Sequence, residues 1–89
     1  MTYHVEFTAR ALKELKKPDK QTAALILGWI RKNLEGCDNP RAHGKGLTAN
    51  RSGEWRYRVG DYRILCGIQD DIILITVLQI GHRREVYSK

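Results

Sequence analysis

The nine residues Trp55-Arg56-Tyr57-Arg58-Val59-Gly60-Asp61-Tyr62-Arg63 constrain this chain more than any other stretch. Aromatic and β-branched residues alternate with arginine on both sides of Gly60-Asp61, the period of two expected of paired strands joined by a two-residue loop. A β-hairpin is therefore predicted. In it Val59 faces Tyr62, Arg58 faces Arg63 and Tyr57 faces Ile64, with Arg56 two residues from Arg58 on the same face. Three guanidinium groups then share one patch. Like charges directly opposite one another cost a strand pair from a few tenths to about 1 kcal/mol, so the fold gains nothing from the arrangement and the patch asks for an anion. Arginine's planar fork of donors suits phosphate oxygens, and Trp55 and the tyrosines offer faces on which bases stack. The competing explanation is a solvated strand face whose arginines splay apart over neighbouring aromatics.

The charge of the chain is distributed to match. Its formal net charge is +6 and its pI about 9.6, which points to a polyanion or an acidic protein as partner. Six Lys or Arg residues stand against two acids between Arg41 and Arg63. With 89 residues, 42% of them hydrophobic, one domain over residues 1–89 with one modest core is expected. Cys37 and Cys66 sit at no metal-binding spacing, and no leading apolar stretch reads as a signal peptide or membrane span. A cytoplasmic chain with free thiols and no membrane partner is expected. Cys66 alternates with Ile64 and Ile68 as a small core residue, and Cys37 lies in a loop.

Taken in order, Tyr3, Val5 and Phe7 alternate with Thr2, His4 and Glu6, which suits a first strand with one buried face. Thr8 reads as a helix N-cap, with Phe7 and Leu12 at the spacing of a hydrophobic staple, and Pro18 stops the short helix. Asp19 opens a second helix whose inner stripe is Ala23, Ile26, Leu27, Ile30 and Leu34, widened by Leu25 and Trp29, with Gly36 as its stop. From Cys37 to Glu54 a long connecting loop is predicted, with His43, Lys45 and Arg51 as a basic lip and Leu47 pinning it to the body. After the hairpin, a second tight turn at Asp70-Asp71 would place Ile68 opposite Ile73 and Arg63 opposite Leu78. The chain closes on Gly81-His82-Arg83-Arg84-Glu85-Val86-Tyr87, a polar turn and a short helical or extended stub.

The expected fold is α+β: two N-terminal helices on one face of a mainly antiparallel four-stranded sheet, in the order β-α-α-β-β-β. Tyr57, Ile64, Cys66, Ile68, Ile73, Ile75 and Val77 are expected under the helices, and the arginines on the open face. If the last strand ends beside the hairpin, His82, Arg83 and Tyr87 reach the rim of the same patch.

Several arginines, a histidine and a tyrosine without a carboxylate cluster are ill-suited to hold Mg²⁺ or Zn²⁺, and no cofactor or metal is expected. They suit metal-free work on a phosphodiester. RNA is cut that way when its own 2′-hydroxyl attacks the adjacent phosphate, while the protein stabilises the added negative charge and moves protons. Arg56, Arg58, Arg63 and Arg83 would supply the charge. His82 offers the imidazole type that titrates near neutrality, and Tyr87 a stacking face or a proton. Lys45, Arg51, Trp55 and Arg84 are the flanking candidates for contact with RNA or the ribosome.

The string GEWRYRVGDYRIL, the β-rich run with an acidic turn that follows, and the ending IGHRREVY strongly resemble the RelE/ParE toxin superfamily, its RelE branch in particular. The likeness extends over nearly the whole chain, including ALKELKK and GKGL. It implies a toxin of a toxin–antitoxin pair that cuts messenger RNA in the ribosomal A site, leaving a 2′,3′-cyclic phosphate and a 5′-hydroxyl. It also implies a cognate acidic antitoxin, the 30S A site with its ribosomal RNA, and mRNA as partners. The family's basic pair before the hairpin matches Arg56 and Arg58, its next-strand arginine Arg63, and its C-terminal arginine and tyrosine Arg83 and Tyr87. Well-known members carry lysines where Arg56 and Arg58 stand. Arginine almost never gives up its proton, so the departure leaves the general base open and raises His82 for that role, with charge stabilisation alone as the alternative. Two other readings compete: a ParE-like inhibitor of DNA gyrase without nuclease activity, and a plain RNA-binding module.

Overall fold

The computed structural model describes residues 2–46 and 54–83. Strand β1 (His4–Phe7) leads into helices α1 (Ala9–Leu15) and α2 (Lys20–Asn33), followed by β2 (Lys45–Gly46), β3 (Glu54–Val59), β4 (Tyr62–Gln69) and β5 (Leu74–His82). The α+β arrangement is as expected, with helical and strand residues sharing one core. The sheet is not: it has five strands, mixed, in the spatial order β1-β5-β4-β3-β2. The additional strand, β2, is one Lys-Gly pair beside β3, too short to display any alternation. β1 runs parallel to β5, with Val5 opposite Ile75. Its outer side is covered by the end of α2, where Glu35 Oε1 accepts from the Val5 N–H at 2.9 Å and Gly36 N–H donates to the Tyr3 carbonyl at 2.8 Å. That backbone N–H holds the Glu35 carboxyl below its usual range, and the contacts keep the edge from templating another strand.

The core forms where the two periodicities meet. Ile26, Ile30 and Leu34, at helical spacing on and just beyond α2, join Ala11 of α1 against Tyr57, Ile64, Cys66, Ile68, Ile75 and Val77 of the sheet. Burial pushes the Cys66 thiol up to about 12, as befits a packed core residue. Leu25 is 62% exposed because it lies outside the buried α2 stripe, and Leu12, the staple candidate, is 45% exposed. Ile73 packs against the core as expected but leaves the strand, taking φ +47° in the turn after a 3₁₀ segment Asp70–Ile72.

That longer turn shifts the β4–β5 register. Ile68 pairs with Ile75 rather than Ile73, and Arg63 with Gly81 rather than Leu78. Cys66 pairs with Val77 and Leu65 with Gln79, so Leu78 is an inserted residue, a β-bulge. Helix α1 is built onto it. Thr8 caps the helix by accepting the Ala11 N–H at 3.0 Å while donating to the Leu78 carbonyl at 3.1 Å, and Glu14 Oε1 accepts the Ile80 N–H at 2.9 Å. Glu14→Ala leaves that N–H without its carboxylate and is expected to lower unfolding free energy by about 1–3 kcal/mol. Glu14→Gln, which keeps an acceptor oxygen, is expected to retain most of it. Urea titration of both variants checks the pair; equal losses would assign the effect to the helix rather than the bulge.

Candidate active site

β3 divides its side chains between the two faces of the sheet. Tyr57 and Val59 are buried in the core and Trp55 packs against it, while Arg56 and Arg58 point the opposite way. The hairpin has the expected register, Val59 opposite Tyr62, Tyr57 opposite Ile64 and Arg58 opposite Arg63. Lys45 stands opposite Arg56, a second like-charge pair beside the first. Arg58 is exposed and Arg56 half-buried, but Arg63 is only 6% exposed. The Arg63 Nη1 donates to the carbonyls of Gly60 at 3.4 Å and Tyr62 at 3.3 Å, so the turn holds its guanidinium.

The core-facing residues of β3 hold the other wall. Tyr57 donates its hydroxyl to the Pro40 carbonyl at 2.5 Å, and Trp55 donates its indole N–H to the His43 carbonyl at 2.6 Å. Burial raises the Tyr57 hydroxyl pKa, keeping it a donor. Gly44 follows at φ +77°, where an added Cβ would overlap the Arg56 carbonyl oxygen and lie 2.9 Å from both the Trp55 indole nitrogen and the Tyr57 ring. Only glycine lets the chain pass this close to β3. Arg41 anchors the same segment, gripping Asp70 with two bonds of 2.9 and 3.0 Å and lying 5.9 Å over the Trp55 ring; Tyr3 donates to Asp70 at 2.6 Å. The Arg41 guanidinium holds the Asp70 carboxyl below its usual range. Trp29 of α2 then touches both ends of the clamp, its ring 5.5 Å from Tyr57 and 5.8 Å edge-on from His43.

Between these walls, at the outer edge of β3, lies a cavity of about 450 Å³. Lys45, Arg56, Arg58 and Arg63 supply four cationic side chains to it, and Trp29, His43, Gly44 and Tyr57 complete the lining. Among the described residues no carboxylate lines it, and no three His, Cys, Asp or Glu side chains converge as ligands for a metal. The arrangement can bind an anion by several guanidinium forks at once and place one imidazole beside it.

The other sequence-derived candidates fall elsewhere. Trp55 lies behind the cavity, its indole engaged with His43 and packed over Gly46. His82 pairs with Tyr62, and their rings meet edge-on at 5.6 Å. This is the Val59 side of the sheet, opposite Arg58 and Arg63. The bulge is the cause, because one inserted residue turns every later side chain of β5 to the other face. Arg83 is exposed at the end of β5, its N–H bonded to the Asp61 carbonyl at 2.8 Å, so the last strand does end beside the hairpin. Leu47, Arg51, Arg84 and Tyr87 lie outside the described residues. The residue that sequence reasoning left as part of a lip is His43. Its signal was the neighbouring Gly44, together with Trp55 and Tyr57 flanking Arg56, but nothing in their order reveals that their polar atoms close on residues 40 and 43.

The family model for the ParE toxin of type II toxin–antitoxin systems matches residues 5–87. The chain is 29% identical to Toxin RelG of Mycobacterium tuberculosis over 89 residues, covering all of both chains. It is 31% identical to Toxin RelE of the same organism over 85 residues, covering 96% of this chain and 86% of the relative. Among solved structures, a chain of the toxin–antitoxin complex RelBE2 of M. tuberculosis superimposes with a TM-score of 0.83 at 29% identity, covering 93% of each chain. Fold and sequence agree: the chain belongs to the ParE toxin family of type II toxin–antitoxin systems, within the RelE/ParE superfamily.

Proposed function

We propose that this toxin is a ribosome-dependent endoribonuclease that acts in the cytoplasm and cuts messenger RNA in the A site by attack of the 2′-hydroxyl on the adjacent phosphate. The observation that carries the reading is the cavity of four cationic side chains at the edge of β3, with Arg63 buried in its wall. Attack adds negative charge to the phosphoryl oxygens, and donors fixed before the reaction stabilise that charge without reorganising. Arg56, Arg58 and Arg63 fill this role, while Lys45 and the exposed Arg83 draw in the RNA backbone. Arg51 and Arg84 extend the contact to mRNA and ribosomal RNA, and Tyr87, the match to the family's C-terminal tyrosine, stacks on a base or donates a proton as the family resemblance implies. Trp55 serves by holding the His43 segment rather than by stacking on a base. The RelBE2 relative is a toxin–antitoxin complex, and a net charge of +6 favours steering toward an acidic antitoxin here.

A second reading has its own support, since the matching family model is that of ParE. Under it the chain binds DNA gyrase and cuts nothing. Primer extension on a translated message and a supercoiling assay, run on the same induced culture and purified protein, separate the two. New codon-spaced ends with normal supercoiling are expected; arrested growth with intact messages and blocked supercoiling would favour the gyrase reading.

A further inference from the structure

We infer that His43 is the general base of this site, a role that rests on the RNA-cleavage reading. Among the described residues, the cavity has one side chain of the type that titrates near neutrality. Arginine keeps its proton, lysine serves as a base only where burial makes it give up its charge and Lys45 is exposed, Trp29 and Gly44 offer no acceptor side chain, and the Tyr57 hydroxyl is buried and already donated to Pro40. Among the described residues, His43 alone brings an imidazole to the cavity, its ring standing edge-on to Trp29. His82, the other imidazole near the hairpin, is turned to the opposite face with Tyr62.

The placement is built rather than incidental. The backbone of His43 is fixed by the Trp55 indole, its ring by the edge of Trp29, and the next residue by the contact that forbids a side chain at Gly44. A proton-transfer group must be held within hydrogen-bond reach of the atom it serves. Trp55 and Tyr57 face one way to fix that group while Arg56 and Arg58 face the other to hold phosphate, so a single strand positions both halves of the chemistry. In the step, the imidazole takes the 2′-hydroxyl proton as the O2′–P bond forms. The P–O5′ bond breaks, and the departing 5′-oxygen takes a proton from water. The products are a 2′,3′-cyclic phosphate and a 5′-hydroxyl, and His43 returns its proton to solvent.

The test uses the full chain on ribosomes programmed with a short message, comparing the parent with His43→Gln and His43→Ala. Single-turnover cleavage by His43→Gln is expected to fall about 10²-fold or more, with ribosome affinity within threefold of the parent and an unchanged melting temperature. Added imidazole is expected to restore cleavage to His43→Ala and to leave the parent unaffected. Cleavage by His43→Gln within threefold of the parent overturns the assignment alone. So does a loss that imidazole cannot rescue, because that marks a structural or binding residue. A parent that leaves the message intact overturns the cleavage reading and the assignment together.

Discussion

Arg63→Ala is expected to lower message cleavage by about 10²–10³-fold, the scale for removing one preorganised donor from a developing oxyanion. Arg63 is the buried member of the patch, 6% exposed, with its guanidinium carried by the Gly60 and Tyr62 carbonyls. A cation removed from bulk water stabilises nearby charge more strongly than one on the open surface, so Arg63 outweighs the exposed Arg58. Arg63→Lys keeps the charge and loses the fork, and is expected to recover only part of the rate. Single-turnover cleavage on programmed ribosomes, with a thermal melt of each variant, checks the order parent, Arg63→Lys, Arg63→Ala. If Arg63→Ala cuts as fast as the parent but melts well below it, Arg63 is a structural cation and the anion site lies elsewhere.

Gly44→Ala is expected to damage the fold severely. It combines a positive φ with overlap against the Arg56 carbonyl, a backbone atom that cannot swing aside. Strain at such a position costs about 1–3 kcal/mol, and displacing the segment also breaks its bonds to Trp55 and Tyr57. Gly60→Ala is the control. Gly60 also has a positive φ, +58°, but nothing lies within 4 Å of an added Cβ, so only the left-handed conformation, about 1–2 kcal/mol, is at stake. Urea unfolding is expected to rank Gly44→Ala well below Gly60→Ala, and cleavage to be lost in the former because His43 moves with residue 44. Equal stabilities would mean that the segment relaxes freely and is not a clamp.

The hairpin was legible because it needs only local information: alternation in Trp55–Val59, a breaker at Gly60-Asp61, alternation again. The resulting pairs, including Arg58 with Arg63, stand as read. The core was legible for the same reason, since Ile26, Ile30 and Leu34 announce a helical face and Ile64, Cys66 and Ile68 a strand face. What failed depended on contacts distant in sequence. Alternation in β1 says one face is buried and nothing about its parallel partner, β5. β2 exists through pairing with Trp55 and Arg56, not through any preference of Lys45-Gly46. The bulge at Leu78 is held by Thr8, 70 positions from Leu78, and by Glu14, 66 positions from its partner Ile80. That inserted residue also decides which imidazole stands near the arginines. A β5 without it would have carried His82 to the arginine face; with it, the imidazole near the arginines is His43, fixed by two side chains whose hydrogen-bond targets no pattern could supply.

RNA cleavage by the cationic cavity at the edge of β3 is tested most directly by mixing purified toxin with ribosomes paused on a single message and determining the chemistry of the new ends. One cut at the A-site codon is expected, with a 2′,3′-cyclic phosphate upstream and a 5′-hydroxyl downstream, in parent protein and not in Arg63→Ala. An intact message under ribosome-saturating toxin, or ends carrying a 5′-phosphate, would contradict it.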